Sequence, residues 1–200
     1  MKIPIALFFA MALFLGVQNA DAAKCKYAEN KVDPFTKVKS LTTKWDQLTS
    51  SWMENQRELN ASISVNSVGG ELQLWVLLDY TRRTRNGPSK HELQDTIVIL
   101  EEAPLLIMMA DGSITTLVAI DEVRKNAYSL APEDHDFETS KFTVRATAFI
   151  RYALQADAVE ALSSQHATDI RITAADRDFD IEIHKKSFDD FQNAIGCIQL

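Results

Sequence analysis

Residues 59–80, LNASISVNSVGGELQLWVLLDY, decide the fold class of this chain. Apolar residues occupy every second position on both sides of Gly69-Gly70, and this period of two is typical of half-buried strands. Two adjacent glycines readily adopt the positive φ angles of a tight hairpin turn. The second half is also apolar on its other side, at Trp75 and Leu77, so we expect it to be a central strand. The stretch predicts a β-hairpin.

The same alternation recurs along the chain. Asp111-Gly112 predicts the turn of a second hairpin, between strands at residues 105–110 and 113–120. Further strands are predicted at residues 96–100, 142–152, 170–172 and 179–183. Residues 155–164 are predicted to form a short helix, and a C-terminal helix is predicted to begin at a capping Ser187. Its predicted apolar face consists of Phe188, Phe191, Ala194, Ile195 and Ile198.

Residues 33–53 are ambiguous. Asp33-Pro34 can start a helix with a buried stripe from Phe35 to Trp52, whereas the threonines of this segment favour a strand. We favour a strand near residues 35–45. Together these patterns predict an α+β fold: a single domain dominated by an antiparallel β-sheet, with two or three helices including a C-terminal one.

The first 22 residues predict where the protein goes. Lys2 is followed by about 15 mostly apolar residues, and Ala20-Asp21-Ala22 matches the small-residue pattern of a cleavage site. This is the pattern of a secretory signal peptide cleaved near Ala22, which leaves one exported domain at residues 23–200. The apolar run is shorter than the ~20 residues of a membrane-spanning helix, and no later segment reaches its length. We therefore expect a periplasmic or secreted protein with no membrane span in the mature chain.

Two cysteines, Cys25 and Cys197, lie near the two ends of the predicted mature chain. In an oxidising compartment an even number of cysteines favours pairing. Their spacing suits neither a CxxC redox motif nor a metal site, so we expect a structural disulfide that joins the two ends.

Charge and motifs exclude several classes of function. The formal net charge is −7, which disfavours binding to nucleic acid. The four histidines, His91, His135, His166 and His184, have no metal-ligand spacing, and glycine-rich phosphate loops and nucleophile motifs are absent from the sequence. Asp176 to Asp180 resembles the opening of a calcium loop, but the later ligand positions do not match. The sequence predicts neither a metal nor a cofactor.

Arg82, Arg83 and Arg85 form the strongest basic cluster, on a loop predicted over Thr81 to Gln94 together with Lys90 and His91. Arginines on a loop held by a rigid sheet can bind a carboxylate or phosphate group, although such a cluster also serves simply to keep a loop solvated. These three arginines are the candidate ligand-binding residues. Arg145 and Arg151 lie on a partly polar strand face that is either solvent-exposed or the floor of a groove.

Three functions stay open at this point. The first is an exported non-catalytic protein that binds an unknown small ligand or protein partner through a sheet face or the arginine loop. The second is a subunit of a cell-envelope assembly, which would expose an apolar patch. The third is a hydrolase with an acid-base pair from residues 133–136, a cluster that includes His135, or from His184.

Overall fold

The computed structural model describes residues 25–49, 52–54, 57–84, 97–130 and 142–198. These residues are mostly in antiparallel strands, with two α-helices. The first seven strands are β1 (Tyr27–Val32), β2 (Lys39–Thr43), β3 (Asp46–Gln47), β4 (Trp52–Glu54), β5 (Arg57–Val68), β6 (Glu71–Thr84) and β7 (Ile97–Ile99). The others are β8 (Pro104–Met109), β9 (Ile114–Val118), β10 (Val123–Lys125), β11 (Tyr128–Leu130), β12 (Phe142–Ala153), β13 (Ala167–Thr173) and β14 (Asp178–Glu182). The helices are α1 (Ala156–Ser164) and α2 (Asp190–Ile198).

The largest sheet has eight strands in the order β1-β2-β5-β6-β12-β11, and β3 and β4 also pair with β5. Strand β6 lies between β5 and β12, which confirms that it is central. The predicted hairpin is formed by β5 and β6, with Val68 opposite Glu71. Gly69 and Gly70 adopt φ angles of 61° and 92°, as a primed two-residue turn requires.

A second sheet of four strands has the order β14-β13-β8-β9. Its β8–β9 hairpin turns at Asp111-Gly112 as predicted, and Gly112 has a φ angle of 84°. The strand predicted at residues 96–100 is β7, which belongs to neither of these sheets and pairs with β10 in a two-stranded sheet.

The apolar faces of the two larger sheets meet in a common core. Tyr80 of β6 and Phe179 of β14 pack edge to face, with ring centroids 6.2 Å apart. Ala119, just after β9, forms a β-bridge with Tyr152 of β12 and so connects the two sheets directly. Alternate residues of β5, β6, β8, β12 and β13 supply most of the buried side chains.

Helix α2 packs against β2 and β5, and α1 packs against α2. The buried residues of α2 belong to its predicted apolar face; they are Phe191, Ala194, Ile195 and Ile198. The predicted start of this helix is wrong: α2 begins at Asp190, and Ser187 ends a 3₁₀ turn at residues 185–187. The Ser187 hydroxyl donates a hydrogen bond to the Gln47 carbonyl, 2.8 Å away, so it anchors the turn to the sheet instead of capping the helix.

Two further expectations are settled by strand pairing. The segment at residues 35–45 contains strand β2, which confirms the strand interpretation for Lys39–Thr43, while a turn precedes it. The loop predicted over Thr81 to Gln94 does not begin at Thr81, because β6 continues to Thr84, which pairs with Phe142 of β12. The ladder with β12 holds these residues extended despite their charge.

Cys25 and Cys197 form the expected disulfide, with their Cα atoms 5.4 Å apart. The Tyr27 hydroxyl also donates a hydrogen bond to the Cys197 carbonyl at 2.7 Å, so β1 is held to the end of α2 twice. The signal-peptide prediction concerns residues outside the described ranges. Within the described ranges, neither helix has the length and apolar character needed to cross a bilayer.

Candidate functional site

The four-stranded sheet buries one face in the core and leaves the other open to solvent. On β8, Leu105, Ile107 and Met109 are buried, while the intervening residues point outwards. Met108 lies opposite Ile114 of β9, and these two side chains are 44% and 60% exposed. An antiparallel sheet usually presents polar side chains on its solvent side, so this exposed apolar pair needs an explanation.

Carboxylates occupy the other half of the same face. Outward-pointing residues of β13 and β14 bring four carboxylates and one guanidinium together, a formal charge of −3. We call this surface the open face; it consists of Leu106, Met108, Ile114, Asp169, Arg171, Asp178, Asp180 and Glu182.

Arg171 neutralises only part of this charge. Its guanidinium donates two hydrogen bonds to Asp180, at 2.5 Å and 3.0 Å, and lies 3.9 Å from Asp178. The hydrogen bonds and the negative charge of Asp180 raise the pKa of Arg171 above its usual value, so the guanidinium stays charged. Asp169 and Glu182 face each other directly across β13 and β14. Like charges in that arrangement destabilise a sheet.

The open face forms part of a groove of about 1010 Å³. Its other walls come from Leu59 and Tyr80 of the large sheet and from Thr49. The lining also includes His184 and the cations Arg177 and Lys185, so the four carboxylates and three cations of the whole groove give a formal charge of −1. Strand β14 lies at the edge of its sheet, and within the described residues it pairs only with β13. Exposed strand edges carry unpaired backbone groups that can accept another strand.

The outer face of the large sheet is a second candidate surface, and its chemistry differs. Phe149 packs edge to face against both Trp45 and Trp75, with centroids 6.0 Å and 5.2 Å apart. The neighbouring charges are satisfied locally, because Asp79 accepts hydrogen bonds from Thr147 and Arg145. Charges that are already paired offer less to a partner, so the open face is the better candidate.

The predicted ligand-binding arginines stay a prediction, because Arg82 is the only one of the three whose side chain lies in the described ranges. Arg82 is half-buried within β6 rather than on a loop. Arg83 belongs to the same strand, but its side chain, like the whole of Arg85, lies outside the described part of the chain. The same holds for Lys90 and His91.

The two histidines in the described ranges, His166 and His184, make ordinary contacts, and His184 is the one predicted for an acid-base pair. His166 Nδ1 lies 3.1 Å from Asp189, and the His166 ring stacks on Phe188. His184 Nδ1 accepts the Lys186 amide at 3.3 Å. Residues 133–136 are outside the described ranges.

Two carboxylates of the calcium-like motif form ion pairs with arginines: Asp176 pairs with Arg177, and Asp180 pairs with Arg171. Across the described ranges, no group of three or more His, Cys, Asp or Glu side chains is arranged to hold a metal ion.

Sequence reasoning missed the open face, although a signal for it was present. Strand β8 is Pro-Leu-Leu-Ile-Met-Met, apolar on both sides, whereas β13 and β14 alternate apolar residues with charged ones. Once these strands are known to share a sheet, the outward half of β8 must lie beside the acidic residues.

Comparisons with protein-family models, curated proteins and solved structures found no match to this chain.

Proposed function

We propose that this protein is an exported, non-catalytic binding protein whose open face binds a cationic, partly apolar segment of a protein partner. The observation that carries the proposal is the pairing of two exposed apolar side chains, Met108 and Ile114, with an incompletely neutralised acidic cluster on one concave surface. The Cys25–Cys197 disulfide is compatible with export, because such bonds persist in oxidising compartments.

The chemistry of the groove selects its ligand. A partner that carries lysine or arginine relieves the repulsion between Asp169 and Glu182, which face each other across the strands. Apolar side chains of the partner cover Met108 and Ile114, and each CH₂ group removed from water contributes about 0.8 kcal/mol. The outer edge of β14, which pairs with no further strand among the described residues, can add backbone hydrogen bonds if the segment binds as a strand.

The test uses a synthetic peptide of alternating lysine and valine, labelled for fluorescence anisotropy. A second peptide with acetylated lysines keeps the shape and removes the charge. We expect the cationic peptide to bind, the acetylated one to bind much more weakly, and added salt to weaken binding through screening.

Asp169→Asn with Glu182→Gln should weaken binding of the cationic peptide about 10-fold, since each exposed ion pair contributes roughly 0.2–1 kcal/mol. The matched control is Glu101→Gln with Glu160→Gln, which makes the same change in net charge at exposed positions away from the groove. Equal loss in both double variants would mean that only the overall charge matters, and the open face would be rejected as the site.

A hydrolase remains an alternative function, because its predicted acid-base cluster at residues 133–136 lies outside the described ranges. The assembly-subunit alternative is favoured by a second surface with exposed apolar side chains, at the turn between β1 and β2.

A further inference from the structure

The turn between β1 and β2 presents Phe35 to solvent with 91% of its surface exposed. The turn is braced by its own hydrogen bonds. Asp33 Oδ1 accepts the amides of Phe35 and Thr36, at 2.8 Å and 2.7 Å, and the same hydrogen bonds lower the pKa of the Asp33 carboxyl. The Lys37 amide also donates to the Asp33 carbonyl at 2.9 Å. A braced turn therefore holds a large apolar side chain outwards, as preorganised interface anchors are held.

Other apolar and basic residues surround Phe35. Val32 lies opposite Lys39, and the Lys39 carbonyl accepts the Gly69 amide at 3.2 Å, so the ends of β1, β2 and β5 lie side by side. Val32 and Val68 are 56% and 43% exposed. We call this surface the basic tip; it consists of Val32, Phe35, Lys37 and Lys39, since Val32 and Lys39 share one face of the ladder. Lys31 and Val68 lie on the opposite face, where both pair with Ser40, and Lys31 is already paired with Glu29.

The basic tip belongs to a part of the chain with the opposite charge to the whole. Residues 25–49 contain five lysines and three carboxylates, a formal charge of +2, in a protein of net charge −7. The tip is therefore apolar and basic, and the open face is apolar and acidic. Such complementary potentials steer association and fix its orientation.

The two surfaces lie at opposite ends of β5. Val68 ends β5 beside the tip, and Leu59 lines the groove, nine residues away along the same strand. At about 3.3 Å per residue this separation is roughly 30 Å. A molecule therefore cannot place its own tip in its own groove, whereas a second copy can.

We infer that the basic tip of one copy docks on the open face of another, with Phe35 against Met108 and Ile114 and the tip lysines against Asp169 and Glu182. This inference rests on the proposed function and names the partner as a second copy of the chain. The contact joins two different surfaces, so each copy keeps one free tip and one free open face. Such heterologous contacts close into rings or continue as filaments.

The first measurement is sedimentation velocity of the oxidised protein over roughly 1 µM to 1 mM, the range in which weak interfaces become populated. We expect the average mass to rise with concentration beyond that of a dimer, and to fall when salt is added. Phe35→Ser and Ile114→Lys should each lower the association constant at least about 10-fold, as loss of a central anchor does. Leu100→Ser is the matched control, because Leu100 is exposed but belongs to neither surface.

Mixing the two variants tests the geometry. The Phe35→Ser chain keeps its open face and the Ile114→Lys chain keeps its tip, so a one-to-one mixture should form a dimer and nothing larger. A parent protein whose mass never exceeds that of a dimer would instead indicate an isologous contact and overturn the head-to-tail geometry.

The outcomes separate this inference from the proposed function. A protein that stays monomeric at all concentrations but binds the lysine–valine peptide overturns self-assembly and keeps the open face as a binding site. A protein that stays monomeric and does not bind the lysine–valine peptide overturns both self-assembly and the proposed binding function of the open face. Sedimentation with phosphatidylglycerol vesicles that is lost in Phe35→Ser, without self-association, would assign the tip to a lipid surface and overturn the inference.

Discussion

Tyr152 is fully buried in β12, and its hydroxyl has no hydrogen-bond partner among the described residues. Burial also raises the pKa of this hydroxyl well above its ordinary value of 10.0. A buried polar group left without a partner destabilises the folded state by about 1–3 kcal/mol. The ring contributes packing, while the oxygen atom contributes only this penalty.

Tyr152→Phe should therefore stabilise the protein at neutral pH by about 1 kcal/mol, because it keeps the ring and removes the hydroxyl. The pH dependence should change as well. In the parent protein the unfolded state ionises near pH 10 while the folded state does not, so Tyr152 lowers stability as pH rises above 10. Urea unfolding at pH 7 and at pH 10.5 measures both effects.

Tyr27→Phe is the control, since the Tyr27 hydroxyl donates a hydrogen bond and its removal should destabilise the protein. If Tyr152→Phe proved destabilising at pH 7, the hydroxyl would have a partner in the folded protein and the argument would be wrong.

At the scale of elements, two glycines in different settings predict opposite effects of one substitution. Gly70 has a φ angle of 92° in the β5–β6 turn, a conformation that disfavours any side chain. Gly196 lies inside α2, and a Cβ atom there would meet nothing within 4 Å. Gly70→Ala should destabilise by about 1–2 kcal/mol, whereas Gly196→Ala should stabilise by about 0.4–1 kcal/mol.

Chemical denaturation of the two glycine variants makes each the control for the other, because both replace hydrogen by methyl. A loss of stability in Gly196→Ala would contradict the helical, open setting described for that residue. Unchanged stability in Gly70→Ala would contradict a turn that requires positive φ.

These elements also show what the sequence can predict. The hairpins at Gly69-Gly70 and Asp111-Gly112 were predictable, because the turn residues and the flanking alternation are local signals. The apolar face of α2 was predictable for the same reason. The start of α2 was not, because the hydroxyl of Ser187 bonds to Gln47, 140 residues away, and no local rule contains that contact.

The candidate site depends still more on tertiary structure. Alternation in β13 and β14 shows which residues share a face, but not that the face stays open or that β8 lies beside it. The like-charge pair of Asp169 and Glu182 exists only in the observed register. The arginine cluster stays a prediction: the pairing of β6 with β12 places Arg82 in a strand, and the other two side chains lie outside the described ranges.

At the scale of the whole molecule, the disulfide closes the described chain from β1 to α2. Cys25 and Cys197 are 172 residues apart in sequence, and the hydrogen bond from Tyr27 to the Cys197 carbonyl lies beside the bond. A cross-link over so long a loop restricts the unfolded chain strongly, by about 5 kcal/mol in the chain-entropy model, although measured values are typically 2–4 kcal/mol. Helix α2 gains from this because it packs on β2 and β5, and β2 pairs directly with β1.

Cys25→Ser with Cys197→Ser should therefore lower Tm by roughly 5–15 °C, given about 2–4 °C per kcal/mol for a protein of this size. Calorimetry of the variant and of the parent measures the difference, and mass spectrometry under denaturing conditions, with and without reductant, verifies the bond by a gain of two hydrogen atoms. The control is the oxidised parent treated with an alkylating reagent, whose Tm should not move because neither thiol is free. Since the bond lies away from the open face, the folded variant should still bind the lysine–valine peptide as tightly as the parent. A variant that kept its Tm but lost the peptide would contradict both the role of the disulfide and its separation from the binding surface.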